Sequence, residues 1–248
     1  MKINKLLFTT TLTALALTAC SPKGTNSDSE IENKVEALLD KMTLEEKLGQ
    51  MNQLSPWDPN ELANKVRNGE IGSILNYMNP EEVNKIQKIA MEESRLGIPL
   101  LVSRDVIHGY KTIFPIPLGQ AATFNPQIVE NGARVAAIEA SADGIRWTFA
   151  PMIDISRDPR WGRVAEGYGE DPYANGVFGA ASVRGYQGDS MSAENRVVAC
   201  LKHYVGYGAS EAGRDYIYTE ISKQTLWDTY LLPYEMGVKA CLLYTSPS

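Results

Sequence analysis

The feature that most restricts the fold is a regular alternation of helix-start signals with short apolar runs. Each helix start carries a capping side chain, either directly before a proline at the first helical position or within a capping box. These starts are Thr43-Leu44-Glu45-Glu46, Asn79-Pro80-Glu81-Glu82, Asn125-Pro126 and Asp171-Pro172. The intervening apolar runs have the length and flanks of strands and cover residues 71–75, 100–103, 147–153 and 197–204.

Strands that alternate with helices favour a parallel sheet, because a parallel pair needs a crossover that a helix usually supplies. An open doubly wound sheet and a (β/α)8 barrel both fit this pattern. No glycine-rich phosphate turn follows the first strand, as a nucleotide-binding sheet would require. Polar residues instead follow several strands, at Asp105, at 154–163 and at Lys202-His203. TIM-type barrels collect their active-site groups at the carboxyl ends of strands, so we predict an α/β fold of the (β/α)8 type.

The length of the strand pattern indicates an incomplete barrel. A full barrel needs roughly 200 to 250 residues, whereas the pattern begins only near residue 70 of 248 and gives about four strands. We therefore expect residues 31–240 to form about the first half of the barrel. Residues 241–248 interrupt a predicted helix and match one translation of a sequencing-library adapter, which indicates a non-native tail. A natural tail is the alternative, and the nucleotide sequence distinguishes the two.

The first thirty residues have the features of an export and anchoring segment. Lys2 and Lys5 form a basic start, residues 6–19 are apolar, and Leu17-Thr18-Ala19-Cys20 resembles a bacterial lipobox. We predict a signal peptide over 1–19 and lipidation of Cys20, giving a periplasmic or outer-membrane-associated lipoprotein. A plain signal peptide with an incidental cysteine is the alternative. The small polar residues of 20–30 are typical of a flexible tether.

Charge and cysteine content exclude several classes of partner. The formal net charge of −6 is unfavourable for nucleic-acid binding. Beyond Cys20 only Cys200 and Cys241 remain, too few for a disulfide framework and without metal-ligand spacing. We therefore predict neither a nucleic-acid partner nor a metal site.

Asp105 is the first candidate for ligand binding. It follows an apolar strand within Ser103-Arg104-Asp105-Val106, where an ionised carboxylate with about four acceptor positions could receive hydrogen bonds from neighbouring sugar hydroxyls. Pairing with Arg104, or capping of the next turn, is the structural alternative.

A second candidate lies in the arginine-rich segment 157–163, in which three guanidinium groups surround Trp161. Arg163 could present its planar set of donors to sugar hydroxyls or to an active-site carboxylate. A salt-bridged loop that fixes the strand end is the alternative, and it is the favoured interpretation of Arg157 and Arg160.

The third candidate is the pair Lys202-His203, two adjacent donors at a strand terminus that could grip a pyranose hydroxyl. Flexible backbone at Gly206-Tyr207-Gly208 follows the pair. Nucleophilic catalysis by the histidine would need a Ser or Cys partner and an orienting acid, and the sequence shows no signature of either. A structural histidine is the alternative.

These motifs together resemble glycoside hydrolase family 3, in which they occur in the same order. The resemblance covers about residues 31–240. It is carried by residues 42–51 (Met-Thr-Leu-Glu-Glu-Lys-Leu-Gly-Gln-Met), the Asp105 segment, residues 157–163 and Lys202-His203-Tyr204. The segments Phe114-Pro115-Ile116-Pro117 and Gly213-Arg214-Asp215-Tyr216 are similar to those of bacterial periplasmic β-glucosidases.

The resemblance implies an N-terminal barrel in which Asp105, Arg163, Lys202 and His203 hold the non-reducing terminal sugar of a β-linked oligosaccharide. It also implies a retaining, exo-acting β-glucosidase that needs no cofactor. The family places its aspartate nucleophile in a Ser-Asp-Trp or Ser-Asp-Tyr motif and its acid/base glutamate in a following domain. Neither feature occurs in these 248 residues, so both are expected beyond Ser248 and the chain itself is expected to be inactive.

Two other functions compete with this hypothesis. The N-acetylglucosaminidases of the family use a Lys-His-Phe-Pro-Gly-His-Gly stretch, but Tyr207 stands at the position of its second histidine. A non-catalytic sugar-binding lipoprotein is the other alternative, and a true stop codon after Ser248 would favour it. Glucosides and xylosides both remain open as substrates.

Overall fold

The computed structural model describes residues 26–55, 58–191 and 193–240, which divide between two compact units, residues 1–42 and 43–248. The described part of the first unit is helix α1 (Asn26–Leu39). The predicted signal peptide, Cys20 and the tail 241–248 lie outside the described residues. The flexible tether predicted over 20–30 differs from the structure at 26–30, which are helical. Residues 30–39 include three Glu and two Leu residues, which favour a helix.

The second unit contains a four-stranded parallel sheet whose spatial order follows the chain. Its strands are β1 (Gln53–Leu54), β2 (Ser73–Leu75), β3 (Leu101–Arg104) and β4 (Trp147–Thr148). Ile74 is aligned with Leu54 on one side and Val102 on the other. Helices connect the successive strands, as the barrel prediction requires. The sheet begins at β1, earlier than predicted, because a two-residue strand is too short to give a sequence pattern.

The described part of this unit contains eight α-helices besides the sheet. They are α2 (Leu44–Gln50), α3 (Pro59–Arg67), α4 (Pro80–Glu92), α5 (Pro117–Ala121), α6 (Pro126–Ala142), α7 (Pro172–Gln187), α8 (Lys223–Thr225) and α9 (Leu232–Ala240). A π-helical turn, Leu226–Tyr230, lies between the last two. In the described ranges none of the helices combines the length and the apolar character that crossing a bilayer demands.

The predicted helix starts are confirmed by their capping hydrogen bonds. Thr43 and Glu46 form the reciprocal capping box of α2, with 2.9 Å between the Thr43 backbone nitrogen and Glu46 Oε2. Asn79, Asn125 and Asp171 accept hydrogen bonds from the first turns of α4, α6 and α7. Helix α3 begins with the same kind of signal, Asp58 before Pro59, which the sequence analysis did not use.

The strand predicted over 197–204 is wrong, because the structure has only isolated parallel bridges there. Val198 is bridged to Trp147, and Lys202 to Met152. The predicted strand 147–153 is likewise shortened to β4. Pro151 lies between the two bridges and has no N–H to donate, so a regular ladder is interrupted. The two segments still run side by side, with hydrogen bonds from Cys200 N to Ala150 O (2.9 Å) and from Ile153 N to Lys202 O (3.0 Å).

Two apolar clusters hold this unit together. The larger is built from strand residues such as Ile74 and Val102 and from the inward faces of α3, α4 and α6. The smaller joins α7 to Ile153 and Tyr234. Helices α6 and α7 pack closely at Gly185, where a Cβ atom would lie 2.4 Å from the Glu130 carbonyl oxygen. A side chain at position 185 would therefore force α6 and α7 apart.

We expect Ile74→Ala to lower the free energy of unfolding by about 2–5 kcal/mol, because the Ile74 side chain is fully buried and its removal leaves a cavity. Ile113→Ala is the matched control, since that side chain is exposed, and its effect should stay within about 0.5 kcal/mol. Urea denaturation of both variants measures the difference. Equal destabilisation would contradict the assigned core.

Candidate active site

The site lies at the carboxyl ends of the parallel strands, where Asp105 directly follows β3. The backbone on either side of Asp105 is fixed by the buried Thr148 of β4. Arg104 is aligned with Thr148 in the sheet, and the Val106 N–H donates to Thr148 Oγ1 over 3.1 Å. Asp105 is therefore held at a defined position although its own side chain is about half exposed.

Asp105 pairs with Lys202, and not with Arg104 as the structural alternative proposed. The Lys202 ammonium donates to Asp105 Oδ1 over 2.6 Å. The lysine side chain is only 11% exposed, whereas that of Asp105 is 47% exposed. A buried ammonium requires a charged partner, and the accessible carboxylate retains acceptor positions for a ligand.

Arg163 forms a second pair of charges, with Glu166. Its Nε and Nη2 atoms each donate to one carboxylate oxygen of Glu166 over 2.7 Å. These hydrogen bonds lower the pKa of Glu166 below its ordinary value and raise the pKa of Arg163. The third guanidinium nitrogen, Nη1, lies 3.3 Å from His203 Nε2. Arg163 thus binds a carboxylate of the cluster, and its contact with a sugar hydroxyl stays a prediction.

His203 is held on its other side by Asp154. Asp154 Oδ2 accepts from the His203 backbone N–H over 2.8 Å and lies 2.8 Å from His203 Nδ1. The Asp154 side chain is 1% exposed. The sequence analysis placed Asp154 in the polar stretch after a strand but gave it no role. Its position between two isoleucines, Ile153 and Ile155, which are buried in the structure, is the signal that the sequence offers, but it does not identify His203 as the partner.

Aromatic side chains form one wall of the site. The Tyr207 ring lies nearly perpendicular to the His203 ring at 4.8 Å, and the Arg163 guanidinium carbon lies 5.5 Å from its centre. Tyr207 donates to Asp215, which also accepts from Trp161 Nε1 over 3.3 Å. Burial and the Asp215 carboxylate raise the pKa of Tyr207 to about 12. The sequence analysis missed Tyr207 and Asp215 as parts of the site.

An open cavity of about 320 Å³ lies against this wall. Arg163 and His203 line it together with Tyr204, Tyr207 and the exposed Tyr216. A guanidinium group, an imidazole and several aromatic faces around one cavity are suited to a ligand that carries both hydroxyls and an apolar ring face.

Other sequence candidates lie outside this cluster. Arg160 pairs with Asp158, so the structural interpretation of Arg160 is confirmed, and its hydrogen bonds lower the pKa of Asp158 to about 2. His108 Nδ1 lies 2.9 Å from the Phe114 carbonyl oxygen. Within the described ranges no group of three or more His, Cys, Asp or Glu side chains could hold a metal ion.

The four predicted residues come together in the structure as two linked pairs. Asp105–Lys202 and Arg163–His203 are joined because Lys202 and His203 are neighbours in the chain. The cluster places acceptors beside donors within one region of the sheet edge. Such an arrangement can satisfy hydroxyl groups, each of which both donates and accepts.

The chain belongs to glycoside hydrolase family 3, since the model of the "Glycosyl hydrolase family 3 N terminal domain" matches residues 43–245. The fold is accordingly the TIM-barrel-like α/β fold of that domain. The family and fold predicted from the motifs are confirmed.

Relatives and solved structures agree with this assignment. The periplasmic beta-glucosidase of Salmonella typhimurium is 42% identical over 206 residues, which are 82% of this chain and 27% of that protein. A beta-xylosidase of Formosa agariphila is 32% identical over 86% of this chain and 26% of its own length. The crystal structure of a beta-glucosidase from Listeria innocua in complex with glucose superposes with a TM-score of 0.78 at 40% identity, covering 84% of this chain and 32% of that one. The chain thus spans about a quarter to a third of these proteins.

The lowered pKa of Glu166 gives a prediction about stability and pH. A carboxylate with a depressed folded-state pKa contributes stability above its ordinary pKa of 4.5, and this contribution is lost as pH falls through the folded value. We expect the difference in urea midpoint between the wild type and Glu166→Gln to be largest near neutral pH and to shrink below about pH 4.5.

Arg163→Met serves as the control background, because it removes the main cause of the shift. In that background the effect of Glu166→Gln on the urea midpoint should lose most of its pH dependence. An unchanged pH dependence would show that Arg163 is not the cause.

Proposed function

We propose that this chain is the sugar-binding part of an exported, retaining β-glucosidase that removes terminal β-D-glucosyl residues from oligosaccharides. In this proposal Asp105, Arg163, Lys202 and His203 bind the non-reducing terminal sugar. The observation that carries it is the convergence of two polar pairs, Asp105–Lys202 at 2.6 Å and Arg163–His203 at 3.3 Å, at one edge of the sheet.

The chemistry of these pairs supports a neutral polyol as ligand. The Lys202 ammonium has three N–H donors and gives one to Asp105, while the Asp105 carboxylate keeps further acceptor positions. Adjacent hydroxyls of a pyranose could therefore bridge the pair, one donating to the acid and one accepting from the lysine. An anionic ligand would instead meet repulsion from Asp105, Asp154 and Glu166.

Relatives favour a glucoside over a xyloside. The Salmonella typhimurium protein, called a periplasmic beta-glucosidase, is 42% identical, whereas the Formosa agariphila beta-xylosidase is 32% identical. The structural neighbours include beta-glucosidase complexes with glucose and with laminaribiose. The name of the Salmonella protein also supports export, and the lipobox at Cys20 supports attachment to a membrane through a lipid.

The proposed role of this chain does not include the two carboxyl groups that cleave the glycosidic bond. A retaining glycosidase needs two carboxyl groups about 5 to 5.5 Å apart, one as nucleophile and one as acid and then base. The sequence contains no Ser-Asp-Trp or Ser-Asp-Tyr motif. We therefore expect these 248 residues to bind sugar without hydrolysing it.

Two measurements test this proposal. Calorimetry measures the binding of glucose to this chain, and absorbance measures the hydrolysis of a chromogenic β-glucoside. We expect Lys202→Met to weaken glucose binding at least tenfold, because it removes a charged donor worth about 1.5–3 kcal/mol. Hydrolysis of the chromogenic compound should not exceed that of Asp105→Ala.

Lys111→Met is the matched control, since it breaks the Lys111–Asp143 ion pair, which lies outside the cluster and whose lysine is exposed. It should leave glucose affinity unchanged. Equal glucose affinity of the wild type and Lys202→Met would refute the proposed sugar site. Hydrolysis of the chromogenic β-glucoside by the wild-type chain would refute the proposal that this chain binds sugar without cleaving it.

A further inference from the structure

We propose that Asp154 is a positioning residue that holds His203 in its neutral Nδ1–H tautomer, so that His203 presents Nε2 to the site as a hydrogen-bond acceptor. The relation to sugar binding rests on the function proposed above. The tautomer itself follows from contacts within this chain.

The contact on the Nδ1 side requires a proton on that atom. Asp154 Oδ2 lies 2.8 Å from Nδ1 and also accepts the His203 backbone N–H over 2.8 Å. An ionised carboxylate only accepts hydrogen bonds. The imidazole nitrogen facing it is therefore the donor.

The contact on the Nε2 side requires a lone pair. The polar neighbour there is Arg163 Nη1 at 3.3 Å, and a guanidinium group only donates. A proton on Nε2 would place two donors against each other. Two neighbours of opposite character, Asp154 and Arg163, thus specify the same neutral tautomer.

The burial of Asp154 supports a role in orienting His203. Its side chain is 1% exposed, and both hydrogen bonds that the structure shows for its carboxylate go to His203. The other oxygen, Oδ1, is buried and has no hydrogen-bond partner among the described residues. Burying a carboxylate in this way is unfavourable for stability, and a well-packed apolar residue is often at least as stable. The gain therefore lies in the orientation of His203.

The Nδ1–H tautomer of His203 determines which sugar-binding groups donate hydrogen bonds and which accept them. Lys202 and Arg163 are donors, Asp105 is an acceptor, and His203 becomes a second acceptor. A sugar hydroxyl that reaches Nε2 has to bring its own hydrogen and replaces Arg163 there. That exchange frees one guanidinium N–H for a neighbouring sugar oxygen, while the Glu166 hydrogen bonds keep the guanidinium in place.

The tautomer can be measured directly, because the sequence contains only two histidines. Long-range ¹H–¹⁵N spectra of the ¹⁵N-labelled chain at about pH 8.5, roughly two units above the ordinary histidine pKa, separate Nδ1–H from Nε2–H rings. His203→Gln assigns the signals. His108 is the internal reference, since its Nδ1 faces the Phe114 carbonyl oxygen, an obligate acceptor.

We expect both histidines of the wild type to be Nδ1–H rings. Asp154→Ala should shift His203 toward the Nε2–H form and leave His108 unchanged, whereas Arg163→Met should leave both unchanged. An Nε2–H ring or an imidazolium at His203 in the wild type overturns the proposal, and this result does not depend on the folding of Asp154→Ala. An unshifted His203 in folded Asp154→Ala overturns it as well.

Glucose titration then separates this inference from the function on which it rests. We expect Asp154→Ala to bind glucose up to roughly tenfold more weakly than the wild type, as for loss of one hydrogen bond from a sugar hydroxyl to the neutral Nε2 of His203. Equal affinity of the two proteins would overturn the positioning role even if the tautomer shifts. Absence of glucose binding by the wild type would refute the proposed function and leave the tautomer assignment standing on its spectrum.

Discussion

The arrangement of the site depends on one buried charge, the ammonium of Lys202. Its side chain is 11% exposed and its backbone is fixed by hydrogen bonds to both sides of Met152, from Lys202 N to Pro151 O and from Ile153 N to Lys202 O. Such a charge is tolerated only with an opposite charge in contact. Asp105 supplies that charge from the end of β3, on the far side of β4. The ion pair therefore ties together the ends of segments that are not hydrogen-bonded to each other.

The rest of the cluster follows from the position of Lys202 in the chain. His203 is the next residue, and its ring lies between the buried acid Asp154 and the guanidinium of Arg163. Glu166 and Tyr207 then hold Arg163 by hydrogen bonds and by ring contact. Asp105 and Lys202 fix each other, whereas Asp154 and Glu166 hold His203 and Arg163 without being assigned a ligand contact. A site built in this way is organised before a ligand arrives, which limits the entropy lost on binding.

The sequence predicted those parts of the fold that depend on local chemistry. Capping residues such as Asn79 and Asp171 act within one turn of their own helix, so their effect is visible in a short window. The convergence of Asp105 with Lys202 was predicted because parallel strands bring their carboxyl ends to one edge. Strand β1 could not be predicted, because two residues are too few to give a sequence pattern. The irregular pairing of residues 197–204 could not be predicted either, because it depends on Pro151 in the neighbouring segment.

The roles of Asp154 and Tyr207 escaped the sequence analysis for a related reason. A carboxylate in an apolar run is compatible with a turn, a cap or a buried pair, and only the position of His203, 49 residues later, decides among them. In the sequence Tyr207 stood out only as part of a flexible segment and as the residue at a histidine position of another subgroup. Its contacts with Arg163 and Asp215 depend on the path of the loop that follows Lys202.

A crystal structure of this chain with bound glucose tests the central claim most directly. The account predicts one sugar ring at the sheet edge, with hydroxyl oxygens within about 3 Å of both Asp105 and Lys202 and in contact with the Arg163–His203 pair. Glucose bound elsewhere, or a structure in which Asp105 and Lys202 are separated, would contradict it.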